Sequence, residues 1–203
     1  VFLRQLLKFQ LPSPYHRLSK DAARFNVEPF LEILRLVRVL GILRFDELRA
    51  IGLQLTDWRD FPQIVGRIEK FREEKGSTLL PYKKFYGSFL KEELKHVYAG
   101  RISKGKIKTR ENRKEVSLEN FLETQMRNTR DNADALFRYL RATGLVQVSH
   151  RGKSISIVPE RIREVDYILE NVDRNPEYFE DDEGYLSYLS DPSAVRLLTD
   201  DRG

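Results

Sequence analysis

Residues Arg127-Asn128-Thr129-Arg130-Asp131-Asn132 bring together the side chains that read base edges in duplex DNA. Arginine can grip guanine through two parallel donors, asparagine can pair a donor and an acceptor with adenine, and aspartate can accept from the cytosine amine. Asn128 and Asp131 are equally good helix caps, so a capping role stands beside the reading role. Arg138 and Arg141 follow at helical spacing, where phosphate contact is expected ahead of base contact. Arg151 and Lys153 mark the tip of a short hairpin and are candidates for a minor groove or the DNA backbone. The densest basic run, Arg101 to Lys114, carries seven positive charges against one negative. Its Lys104, Lys106 and Lys108 are candidates for phosphate contact, or for an ordinary solvated linker.

The elements around these residues follow from apolar spacing and from breakers. Residues 1–10 form an apolar stub stopped by Pro12 and Pro14, which lack the backbone donor a helix needs. Phe30, Leu31, Leu34, Val37 and Leu40 lie on one face of a helix that Gly41 ends. A strand-like link, Ile42 to Phe45, leads to a short helix over 46–51, then to a longer one over 57–75. Leu90 to Tyr98 reads as a further helix. Leu118, Phe121, Leu122 and Met126 predict a helix from Ser117, and Asn128-Thr-Arg-Asp131 predicts a break with a second helix starting near 129. The alternating runs 145–148 and 154–158 predict a hairpin, and 161–172 one more helix.

The expected fold class is mainly α with a small β-hairpin, arranged as tandem helix-turn-helix or winged-helix-like units. The expected organisation is a helical region with the first unit at 1–100, a basic loop at 101–116, a winged-helix unit at 117–172 and an acidic linker at 173–203. Charge supports a division of labour. Residues 159–203 hold thirteen acidic residues against five arginines, so with a total of +5 the first 158 residues carry +13. A basic body beside an acidic tail is the layout expected when one surface faces phosphates.

Composition excludes several alternatives. Without cysteine there are no disulfides, zinc fingers or thiol nucleophiles, which fits an intracellular protein. His16, His96 and His150 are scattered, so no metal is assigned. No apolar run reaches the length of a membrane span, and no membrane partner is expected. Asp60 with Glu73-Glu74-Lys75 meets the spacing of a restriction-type nuclease motif, but its helical apolar period argues against it, and no catalytic residue is assigned. The opening Val1-Phe-Leu-Arg, without methionine and already helical in pattern, reads as the start of a fragment.

The block Met126-Arg-Asn-x-Arg-Asp-x-Ala-Asp-Ala135 and the piece Arg138-Tyr-x-Arg-x-Thr-Gly-Leu145 resemble the AlwI-type type IIS restriction endonucleases and their strand-nicking relatives. The opening Val1 to Ser13 is similar to the same family, and Gly41 to Leu48 more weakly so. The resemblance implies an N-terminal recognition region of winged-helix-like subdomains that binds a short asymmetric site on double-stranded DNA. It also implies a separate Mg²⁺-dependent cutting domain beyond the present chain, in the cytoplasm of a prokaryotic cell. This chain would then need no cofactor of its own. The rival readings are a stand-alone winged-helix DNA-binding regulator and a protein-interaction module.

Overall fold

The computed structural model describes residues 1–15, 25–103, 107, 116–149 and 151–198. The centre of the molecule is helix α2, Pro29–Leu40, which follows the short helix α1, Phe2–Leu7. Six apolar side chains of α2, Phe30, Leu31, Ile33, Leu34, Leu36 and Val37, are buried, more than a one-sided stripe would give. Burial on that scale needs neighbours on several sides, and α2 packs against α1 and against the sheet and helices described next. Each such side chain contributes about 1.5–3 kcal/mol when removed from water.

Gly41, at φ +72°, turns the chain out of α2 in a conformation other residues adopt only with strain. Strand β1, Ile42–Arg44, leads directly into helix α3, Phe45–Ala50. After two 3₁₀ turns come α4, Phe61–Ser77, and α5, Tyr82–Val97, followed by the short α6, Ala99–Ser103. Phe71 of α4 meets Phe85 and Phe89 of α5 at centroid distances of 5.6 and 4.7 Å, which closes these two helices into a hairpin with an aromatic seam. Helix α7, Leu118–Ala142, then runs for 25 residues. The hairpin β2, Val146–Val148, and β3, Ser154–Ile157, precedes helices α8, Ile162–Asn171, and α9, Asp182–Ser190.

The mainly helical fold with a small hairpin is therefore present, with one addition. The link at 42–44 is a third strand: β1 pairs antiparallel with β3, Leu43 opposite Ile155, giving the order β1-β3-β2. Leu43, Ile155 and Val146 are all buried and turn the inner face of the sheet onto the core. One apolar cluster extends from Leu6 and Leu7 through α2, the sheet and α7 to Val195. Residues 173–198, read from the sequence as connecting chain, fold back on the N-terminal segment. Tyr185 of α9 is buried, Gln10 Nε2 donates to the carbonyl of Glu177 at 2.5 Å, and the buried Lys8 donates to the carbonyls of Tyr188 and Asp191. Among the described residues, no helix is long and apolar enough to cross a membrane.

Candidate nucleic-acid interface

The largest departure from the sequence reading lies at the candidate readers themselves. No break occurs at Asn128-Thr-Arg-Asp131; α7 is continuous, its N-cap is Ser117, whose hydroxyl accepts from the amide of Asn120 at 3.2 Å, and Gly144 at φ +71° follows its end. Arg127 to Asn132 accordingly sit near the middle of a helix, not in its first turn. Arg49 of α3 pins this point from the side. Its guanidinium donates to the carbonyl of Met126 at 2.5 Å and to the hydroxyl of Thr129 at 3.3 Å. Thr129 is thus half-buried, and its hydroxyl is engaged in holding α7 to α3.

Helical spacing sorts the remaining candidates into two flanks. Arg127, Arg130, Asp134, Arg138 and Arg141 recur at intervals of three and four, so they form one exposed stripe along α7. Asn128 and Asn132 are exposed on another flank with Tyr139, whose ring meets Phe30 edge-on at 6.0 Å. The buried seam between them is Leu122, Ala133, Phe137 and Leu140. Within the stripe, Arg138 pairs with Asp134 at 3.0 Å and Arg130 lies 3.7 Å from Asp131. Both pairs are more than half exposed, so they are weak and can be exchanged for other partners at little cost. Arg127 and Arg141 have no acidic partner among the described residues.

The hairpin tip lies on the same side as the arginine stripe. A cleft of about 670 Å³ is lined by Arg151, Gly152 and Lys153 of the tip, by Asp134 of the stripe, by Arg44, Phe45 and Asp46, and by Lys75 and Tyr82 of the α4–α5 hairpin. Two interactions fix its walls. The amide of Phe45 donates to the carbonyl of Lys153 at 2.8 Å, and Phe45 meets Phe137 of α7 edge-on at 5.7 Å. Arg44 is held by the fully buried Glu47, which also accepts both guanidinium donors of Arg72 at 2.8 Å. Burial alone would raise the Glu47 pKa, but the donors from Arg72 and Arg44 outweigh it and hold the carboxylate below its ordinary value. Sequence reasoning missed Arg44, Lys75 and Tyr82. The first is in a strand reached through a long-range pairing, and the other two belong to helices separated from the tip by more than 60 residues.

Lys104, Lys106 and Lys108 lie outside the described residues, as do His16 and His150. Ile107, between those lysines, packs on the core and its carbonyl accepts from the amide of Val116 at 3.0 Å. The nuclease-like spacing of Asp60 with Glu73 to Lys75 falls on a 3₁₀ turn and on α4. Among the described residues, no three His, Asp or Glu side chains converge into a metal-binding group.

A mainly helical protein with a long arginine-striped helix beside a basic hairpin tip has the build of a nucleic-acid-binding protein. The family model of AlwI restriction endonuclease matches residues 1–202, and the chain belongs to that family. Its class is therefore that of restriction endonucleases, nucleases of restriction-modification whose substrate is DNA. No curated protein matches the chain.

Proposed function

We propose that this chain recognises a short sequence in duplex DNA for a type IIS restriction or nicking enzyme that cuts outside its site. The order α2, β1, α3, α7, β2, β3 with strands arranged β1-β3-β2 supports a winged-helix reading, in which α4 to α6 are inserted between the second and third helices. In that reading α7 is the recognition helix and β2–β3 the wing. The observation that carries it is the single side shared by the α7 stripe and the wing tip, through Asp134, Arg151 and Lys153. Because Arg127 and Arg130 are nine and twelve residues from the start of α7, the helix meets the groove along its length, not by its tip.

Arg127 and Arg130 are then the base-reading candidates, Arg138 and Arg141 the phosphate contacts, and Asn128 and Asn132 flank the groove. Titration of duplex pools at increasing salt tests the reading. Selective, salt-sensitive binding is expected, with Arg130→Ala relaxing preference at one base pair by about 1–3 kcal/mol. Binding that is absent, or indifferent to both salt and sequence, would remove the proposal.

A further inference from the structure

We infer that the cleft between the wing tip and the α4–α5 hairpin is a backbone-phosphate site, so that the inserted hairpin is the second jaw of a clamp on one DNA strand. This rests on the DNA-recognition reading but adds a partner for residues that reading does not use. Four cationic side chains line the cleft, Arg44, Lys75, Arg151 and Lys153, against two carboxylates, Asp46 and Asp134. Both carboxylates are already engaged. Tyr82 donates its hydroxyl to Asp46 at 2.5 Å, and Arg138 pairs with Asp134. The cations of the wing are not: Arg151 and Lys153 are exposed and have no acidic partner among the described residues.

The jaw opposite the wing combines a cation held by the protein with a helix start whose charges run against the helix dipole. Lys75 sits with its ammonium 4.7 Å from the ring centre of Tyr82, which aims a positive charge at the cleft from α4. Tyr82 opens α5, and the next two residues are the exposed Lys83 and Lys84. The first turn of α5 holds no acidic residue. Lysines there oppose the positive end of the helix dipole and cost stability, whereas an external anion at that end would be favoured by the dipole and the lysines together. A phosphodiester satisfies Arg151 and Lys153 from one side and Lys75 with the α5 start from the other. The free groups here, Arg151, Lys153 and the Lys75 ammonium, only donate, which suits the phosphate oxygens, and contacts to those oxygens carry no sequence preference.

The salt dependence of duplex binding counts these contacts. With a random-sequence duplex pool as the probe, Lys75→Ala and Lys153→Ala are each expected to reduce the slope of log K against log salt by about 0.9, leaving the order of preferred sequences unchanged. Lys95→Ala, which takes the same charge from the far end of α5, should leave the slope alone. A fall for Lys153→Ala without one for Lys75→Ala would mean that the wing binds unaided, and would overturn the clamp. So would an equal fall for Lys95→Ala, or a changed base preference for Lys75→Ala. If the unsubstituted chain lacks selective duplex binding, the recognition reading itself is what fails, and the clamp goes with it.

Discussion

Glu28 stands at the N-cap of α2, where a carboxylate normally accepts from the first free amides, yet its side chain makes no such bond. It is buried. One oxygen receives the Tyr188 hydroxyl at 3.4 Å, and the other has no hydrogen-bond partner among the described residues. Burial pushes its pKa up to about 8; the Tyr188 hydrogen bond opposes this, while Glu32, Asp173 and Glu177 add to the rise. The folded protein therefore holds a proton here that the unfolded chain releases above its ordinary value of 4.5. Stability from this group is fullest below that value and declines as pH rises toward about 8, by at most roughly 1.4 kcal/mol per pH unit. Glu28→Gln keeps the shape without the proton. It should flatten the pH dependence of the urea midpoint across that window and raise the midpoint at its alkaline end. An unaltered slope would show that Glu28 ionises normally in the fold. Glu47 has the opposite sign: its stabilising contribution is present above the ordinary carboxylate value and is lost as acid protonates it away from Arg44 and Arg72.

The continuity of α7 decides what the interface can be. A residue capping a second helix would cost about 1 kcal/mol on truncation, whereas an exposed asparagine in a helix interior costs nothing and gains a few tenths from better propensity. Asn128→Ala is therefore expected to leave the thermal midpoint unchanged or slightly raised, and a loss of a kilocalorie or more would restore the broken-helix description. The sequence held the signal for continuity. Leu122, Met126, Ala133, Phe137 and Leu140 keep one helical phase straight through the polar stretch, but asparagine, threonine and aspartate bond so readily to local backbone that they read as a terminus. What sequence could not display was Arg49, which steadies the helix at Met126 and Thr129 from 77 and 80 residues away. Locally coded features were legible: the end of α2 at Gly41, the end of α7 near Gly144, and the β2–β3 hairpin with Arg151 and Lys153 at its tip. The start of α5 at Tyr82 was missed although Tyr82, Phe85, Tyr86 and Phe89 recur at helical spacing, because aromatic residues favour strands by composition; three of these rings pack on Phe71.

At the scale of the molecule, the sheet couples regions that differ in charge and composition. β1 belongs to the stretch before the basic run and β3 to the stretch after it, and each residue of β1 has a partner in β3. Leu43, at the centre of β1, is fully buried and lies opposite Ile155. If the wing folded with α7 alone, damage to β1 would stay on its own side of the chain. With a shared sheet it must spread: β3, the middle strand, loses its ladder to β1, and the apolar cluster loses Leu43. Leu43→Ala should therefore cost about 2–5 kcal/mol and lower amide protection at Ile155 and Ile157 as much as in α2. Trp58, the single tryptophan, lies in the first half yet donates to Asn175 and stacks beneath Arg174. Its fluorescence should follow the same transition as the helical circular dichroism, in one step. Hydrogen exchange that leaves β2 and β3 protected while α2 opens, or a tryptophan transition that precedes the loss of helix, would divide the molecule into the two units that its sequence suggests. α7 and the wing would then form one unit independent of the body beneath them, and Arg151 and the arginine stripe could move together relative to Lys75 and Tyr82 instead of being held across the cleft from them.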